Sequence, residues 1–404
     1  MKQQSAQKDF FLLAFIVPGK ITRLTGGSIY DKHLADYLSE RGVRVDVVSV
    51  PDLSYFTGAL ISPVMALWLA LRIAGRGYDL IIEDGWAHPS FLLFNIAFRL
   101  VSRSRFVIIA HQLRWIERKR GTRIAARIER AALRSGHLII TVSRFMRGEI
   151  ASLIGDVPRV VIARPGVRRG RGAEKRRSGG AEEQRSHRDS ETSILSPLHP
   201  FTPAPPHPYT PVRLLFVGNC VRRKGLHHLI HALSHADCEG LALDIVGDCD
   251  FDPRYFEELR REAARLGPGH AVKFHGRVSD EALQTFYARA DIFVMPSLYE
   301  GFGIVYAEAM QSGLPIVALD AGPLPEIARA GENAVLVPPF PEESLPRALA
   351  RAICELATDG EMRARFSRRS LEIATELPAW KETCETVYQS LLSLIEPERD
   401  FTAL

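Results

Sequence analysis

Six short apolar runs in the first half of the chain, and six in the second, alternate with segments of helical pattern. In the first half they fall at 11–17, 43–50, 80–83, 106–110, 138–142 and 160–163; in the second at 213–217, 242–246, 272–275, 292–295, 316–319 and 334–337. Unbroken apolar runs such as 106–110, 292–295 and 316–319 belong to strands buried on both faces. Strands separated by helices belong to parallel sheets. The intervening patterns at 27–41, 63–74 and 123–134 read as such helices. The expected class is therefore α/β, with two doubly wound, Rossmann-like domains in series. Ligands in such sheets bind beyond the carboxyl ends of the strands, so two of them make an interdomain cleft. At 404 residues, 46% hydrophobic, the chain is long enough for two cores.

The rhythm breaks at 168–211. This stretch opens with Arg168, Arg169, Arg171, Lys175, Arg176 and Arg177, continues rich in Ser, Glu and Arg, and ends rich in proline. So few aliphatics cannot bury enough surface to order the backbone, and it reads as a flexible basic linker, with an anionic-surface tether as the alternative. The implied division is a first domain at 1–167, the linker, and a second domain at 212–378. The tail at 361–394 is helical in pattern and broken at Pro378.

The polar start and the apolar run at 10–17, which ends at Pro18, lack a signal-peptide pattern. Five scattered cysteines, with no Cys-x-x-Cys or Cys/His spacing, point to a reducing, cytoplasmic setting and against a disulfide or zinc frame.

Candidate chemistry lies at the strand ends. After the run at 292–295 comes a glycine-bearing loop, 296–303, and then a helix, 304–312, stopped by Gly313 and Pro315. A helix start behind a glycine loop presents unpaired N–H groups to an anion. Glu300 in the loop and Glu308 about one turn into the helix, seven residues between them, flank that cradle. Two acceptor-only groups around a phosphate site suit a diphosphate with hydroxyls at both ends, which describes a nucleotide sugar. After the run at 213–217, Gly218 lets backbone approach a ligand, and Arg222, Arg223 and Lys224 can neutralise a diphosphate. Thr25-Gly26-Gly27-Ser28 repeats the cradle from the first half, and His111, Asp84 and His88 follow strands at the same edge. The last two are expected on the acceptor side.

These segments, with Gly313-Leu314-Pro315-Ile316-Val317-Ala318 and Gly322-Pro323-Leu324-Pro325-Glu326-Ile327, resemble the donor-binding half of the family-four retaining glycosyltransferases, of GT-B fold. The resemblance is dense from Val212 to about Val337 and looser from Phe11 to Gly166. It implies that the tail, about 379–396, crosses back onto the N-terminal domain. It implies a donor site of Gly26, Gly27, Asn219, Arg223, Lys224, Arg277, Val278, Glu300, Phe302, Gly303, Ile304 and Glu308, with His111, Lys224 and Glu300 in catalysis. Asn219 departs from the family's arginine, and Arg223 is the expected compensator. No cofactor is implied beyond the UDP- or GDP-linked sugar, and backbone contacts near Arg277 leave the base unreadable. Asp248-x-Asp250 looks like a metal pair, but the family needs no metal. The resemblance also implies retention without a carboxylate pair at the scissile bond. The leaving diphosphate takes the acceptor's proton, while Lys224, Arg223 and the N–H groups of residues 302–304 stabilise it.

From Arg114 to Arg134, cations recur beside Trp115, Ile116, Ile124, Ile128 and Leu133. Such a stripe points to an anionic membrane surface and a lipid-linked or glycan acceptor, the alternative being a surface helix packed on its sheet. The apolar run at 59–74 is too short to span a bilayer. Nucleic acid is not expected as a partner. The competing readings are a nucleotide-sugar epimerase or hydrolase, or a non-catalytic scaffold of the same fold.

Overall fold

A computed structural model of the chain describes residues 11–19, 21, 25–51, 55–73, 75–85, 92–96, 104–113, 123–155, 159–167, 211–267 and 269–395. The first sheet comprises β1 (Leu12–Pro18), β2 (Arg44–Val50), β3 (Leu80–Asp84), β4 (Arg105–Ala110), β5 (Leu138–Thr141) and β6 (Val160–Ile162). The second comprises β7 (Val212–Val217), β8 (Leu241–Val246), β9 (His270–Gly276), β10 (Ile292–Met295), β11 (Ile316–Leu319) and β12 (Ala334–Val337). All the pairings within both sheets are parallel.

Strand order is β2-β1-β3-β4-β5-β6 in the first sheet and β12-β11-β10-β7-β8-β9 in the second. Each order reverses direction once, at β1/β3 and at β7/β10. A reversal sends the two flanking loops to opposite faces and opens a crevice at the carboxyl edge. The helices are α1 (Gly26–Glu40), α2 (Tyr55–Ile73), α3 (Arg123–Ser135), α4 (Arg144–Ile154), α5 (Leu226–Leu233), α6 (Pro253–Ala263), α7 (Asp280–Arg289), α8 (Ile304–Gln311), α9 (Leu345–Thr358), α10 (Gly360–Glu376) and α11 (Trp380–Ile395). Pro63, expected at a helix start, lies inside α2. Of the linker stretch, only residue 211 is described.

The tail helix α11 sits on the first half of the chain. Trp380 stacks on His33 with ring centroids 4.1 Å apart, and Glu385 pairs with Arg41 and Tyr37. Gly166 is required at the crossing, because a Cβ there would stand 2.2 Å from the Trp380 nitrogen. Thr383 adds a hydrogen bond to the Arg164 carbonyl at 2.6 Å.

The cysteine expectation is corrected. Cys238 and Cys354 form a disulfide across 116 residues, with Cα atoms 5.6 Å apart. Cys220 and Cys249 are free, buried and 3.4 Å apart at sulfur. Parallel crossovers bring distant residues side by side, here because α5 and α9 are neighbours, so scatter along the chain does not measure distance in space.

Glu83 is wholly buried in the first sheet. Burial raises its pKa to about 8, opposed by a hydrogen bond from Asn95. A carboxyl raised on folding favours the folded state less as pH climbs from the ordinary carboxylate range through about 8. Glu83→Gln should therefore raise the melting temperature at pH 8 and above and leave it nearly unchanged at acid pH. Parallel pH–melting curves for the two proteins would contradict this.

Candidate functional site

The two loops at the β7/β10 reversal meet through side chains. Arg222–Lys224 forms a single 3-10 turn closed by Gly225 in the left-handed region at φ 71. A Cβ at Gly225 would lie 2.0 Å from the Pro296 carbonyl oxygen, so glycine permits the two loops to touch. Lys224 Nζ donates to Glu300 Oε1 at 2.5 Å, and Ser297 Oγ donates to the same oxygen at 2.7 Å. Arg223 Nη1 donates to the Tyr299 carbonyl at 3.2 Å and stands 3.8 Å from Glu300 Oε1. Burial raises the Glu300 pKa, but Lys224 and Arg223 outweigh it and bring the carboxyl below its ordinary value. Burial likewise lowers the Lys224 pKa, and Arg223 adds to this against the attraction of Glu300. The two cations thus favour the ionised form of Glu300, and Glu300 in turn favours the charged form of Lys224. One anion between two cations leaves the cluster net positive, an environment suited to a diphosphate.

Helix α8 opens at Gly303, at φ 94, with no side-chain cap on its first turn. Its leading N–H groups therefore remain available to an anion. A Cβ at Gly303 would approach the Tyr306 ring to 2.6 Å, and Phe302 is buried beside it. Glu308, half-buried, accepts a 2.9 Å hydrogen bond from the Tyr287 hydroxyl. Burial, then Glu308 itself, raises the Tyr287 pKa, which keeps that hydroxyl a donor.

The first sheet supplies the opposite wall. A Cβ at Gly301 would lie 1.9 Å from the His111 carbonyl oxygen, and one at Gly27 would lie 3.1 Å from the His111 ring. On Gly26 it would come within 3.9 Å of Ile304. Tyr299 Oη accepts from Leu113 N at 3.0 Å, and Ser143 Oγ donates to the Gly301 carbonyl at 2.9 Å. The carboxylate of Glu326 receives Arg144 N at 3.0 Å, Phe145 N at 2.5 Å and Arg164 Nη2 at 3.2 Å. A carboxylate on the α4 N-terminus is favoured by the helix dipole, so Glu326 clamps the two halves.

His111 Nε2 is 3.0 Å from Asp31 Oδ1, and Asp84 completes a group whose ligand atoms lie within 4.8 Å of one another. Burial lowers the His111 pKa, but Asp31 and Asp84 overcome it and hold the value above the ordinary one.

Arg277 and Val278 stand apart from the Lys224 cluster. Arg277 pairs with Asp248 at 2.7 Å on the rim of a recess of about 550 Å³ that Phe256, Phe274, His275 and Gly276 also line. That pairing occupies one half of the Asp-x-Asp sequence. The recess adjoins the loop after β7 through Cys220 N, which donates to the Asp248 carbonyl at 2.9 Å. The Asn219 side chain makes no hydrogen bond among the described residues. His88 lies outside the described residues.

Sequence reasoning missed Asp31, Tyr287 and Glu326 as partners. Asp31 sits in α1 one turn after Gly27, a spacing that could have placed it on the His111 side. The basic stripe is corrected in part: Arg130 Nε and Arg134 Nη2 donate to the carbonyls of Leu153 and Ile154, at 2.6 and 2.7 Å. Cations at the C-terminal end of α4 satisfy otherwise unpaired carbonyls, and Leu133 is buried. Residues 114–122 lie outside the described residues.

Two family models match the chain: "Glycosyl transferases group 1" over residues 202–372 and "Glycosyl transferase 4-like domain" over residues 21–166. An uncharacterized glycosyltransferase of Methanocaldococcus jannaschii is 36% identical over 143 residues, which is 35% of this chain and 36% of that relative. Sucrose-phosphate synthase from Thermosynechococcus elongatus superposes with a TM-score of 0.74 at 20% identity, covering 96% of this chain and 100% of that one. Anabaena HepE in complex with UDP-glucose gives 0.68 at 20% identity, covering 95% and 99%. The chain belongs to the glycosyltransferases of GT-B fold.

Proposed function

We propose that the chain is a retaining glycosyltransferase that moves a hexose from a nucleoside-diphosphate sugar to an acceptor hydroxyl. The observation that carries this reading is the buried Lys224–Glu300–Arg223 cluster at one strand reversal, faced across the cleft by Gly27 and His111 at the other. Residues 212–378 form the donor half. Residues 1–167, with the tail helix, form the acceptor half, with Asp84 and His88 on the acceptor side.

In this reading the diphosphate lies between Lys224, Arg223 and the open N-terminus of α8. Three sources of fixed positive charge aimed at one place stabilise charge that develops on the leaving oxygen. They supply that stabilisation without a catalytic metal. The diphosphate accepts the proton of the acceptor hydroxyl on the face it leaves, which preserves the anomeric configuration. Glu300, its carboxylate fixed by Lys224 and Ser297, holds sugar hydroxyls. Glu308 takes the ribose hydroxyls, and the recess by Arg277 and Val278 takes the base. UDP-glucose in the Anabaena protein supports a donor of this class, UDP- or GDP-linked.

Purified protein, a panel of nucleotide sugars and added acceptors test the reading. Nucleoside diphosphate and glycoside should appear in equal amounts, the glycoside keeping the donor's anomeric configuration. Epimerised donor or free sugar alone would favour the epimerase or hydrolase. No turnover alongside tight donor binding would favour the scaffold. Glu308→Ala should raise the donor KM about tenfold, the scale of one lost charged hydrogen bond, with a smaller change in kcat. An unchanged KM would remove Glu308 from the ribose site.

A lipid-linked acceptor is supported by α2. Val64, Leu67, Trp68 and Leu71 are exposed along it, while Met65, Leu69 and Ile73 face the core. No described helix is long and apolar enough to cross a membrane, so such contact would lie along the surface. Anionic liposomes should carry the protein in flotation, and Trp68→Glu with Leu71→Glu should abolish it. Equal flotation of both proteins would exclude this face.

A further inference from the structure

We propose that His227, His228 and Glu342 form a binding site for one divalent transition-metal ion of the zinc type, outside the donor cleft. The two histidines are the second and third residues of α5, after Leu226, and Glu342 begins a 3-10 turn, Glu342–Ser344, that leads into α9. Helices α5 and α9 lie side by side, which brings the two segments together. One ligand atom from each of the three residues lies within 4.8 Å of the others. The separation of His228 Nε2 from Glu342 Oε1 is 3.5 Å. Two ligands of a tetrahedral ion with bonds of about 2.0–2.1 Å stand about 3.4 Å apart, so these atoms already have the spacing of a shared ion.

Each histidine adds its own argument. The His228 side chain is 8% exposed, and its Nε2 makes no hydrogen bond among the described residues. A buried ring nitrogen left in that state is costly, and an ion between it and Glu342 satisfies it. His227 Nδ1 is 2.7 Å from the Tyr255 hydroxyl. With Nδ1–H donating there, Nε2 carries the lone pair, the usual way an outer partner orients a metal-binding histidine. His231, one turn further on, is directed to Glu262 at 3.5 Å and is not counted as a ligand. The Glu342 side chain is 42% exposed, which gives an ion a path in and room for water as a fourth ligand.

Imidazole and carboxylate together suit zinc, cobalt or nickel rather than magnesium or calcium. The ion would tie the first turn of α5 to the 342–344 turn, three residues beyond Lys224. The proposal rests on coordination chemistry and is independent of the donor reading.

The test uses the full chain, free of any histidine tag and treated with chelator, titrated with cobalt(II) and followed by visible ligand-field absorption. The expected result is one equivalent bound with intense tetrahedral-type bands, lost on adding zinc(II). Glu342→Gln and His228→Asn should each weaken binding by more than the roughly tenfold that loss of an outer partner costs. Absent bands, weak octahedral-type absorption, or equal binding by wild type and Glu342→Gln would overturn the proposal. Should His228→Asn fail to fold, the exposed Glu342 variant decides alone.

Discussion

Replacing Lys224 with alanine is expected to lower kcat by about 10²–10³-fold, the usual loss when one preorganised charge donor to a transition state is removed. The same change should cost stability. Lys224 and Glu300 have side chains 12% and 8% exposed, and removing one partner of a buried pair typically costs about 3–5 kcal/mol because the other charge is stranded. Arg223 at 3.8 Å and the Ser297 hydroxyl at 2.7 Å soften that penalty, which places the expectation toward the lower end. The two effects separate in the double variant Lys224→Met, Glu300→Gln. It removes both buried charges and leaves Arg223, 29% exposed, on the Tyr299 carbonyl, so its melting temperature should recover most of the loss, while turnover stays low. Denaturation curves and steady-state kinetics on the three proteins check this. Recovery of turnover along with stability would show that Lys224 acts only as the counter-ion of Glu300.

His111→Ala should reduce kcat by about 10²-fold, on the same scale as other lost transition-state contacts. The more informative variant is Asp31→Asn. Asp31 is 1% exposed, touches the His111 ring at 3.0 Å, and with Asp84 raises its pKa against burial. Without that charge, burial prevails and the His111 pKa falls. The pH–rate limb belonging to His111 should then move to lower pH. The stability that the pair contributes is present below the ordinary histidine range and lost as pH rises through the raised value, so the variant should be less stable mainly on the acid side. A pH profile unmoved by Asp31→Asn would separate His111 from the chemistry.

The strand positions were legible because buried parallel strands are written as unbroken aliphatic runs. The runs at 292–295, 316–319 and 334–337 match β10, β11 and β12 residue for residue. Sheet order was not legible, since nothing in β1 or β7 says that its neighbours lie on both sides. Yet the order is what puts Lys224 and Glu300, 76 residues apart, on one oxygen-to-nitrogen contact. Glycines announced close approach but not its object: Gly301 is small because the His111 carbonyl presses on it from the other half. Charge patterning misled most where cations serve backbone, as Arg130 and Arg134 do at the end of α4. Cysteine spacing misled for the related reason that a crossover brings Cys238 to Cys354. Residue chemistry reads along the chain, while partnership is decided by topology.

The most direct measurement is calorimetric titration of wild-type and Glu308→Ala protein with UDP and GDP. Saturable binding of one of the two at a single site, weakened about tenfold in the variant, is the result expected of a nucleoside-diphosphate donor gripped at the second strand reversal. Binding of neither nucleotide by a folded wild-type protein, or identical affinity in both proteins, would contradict it.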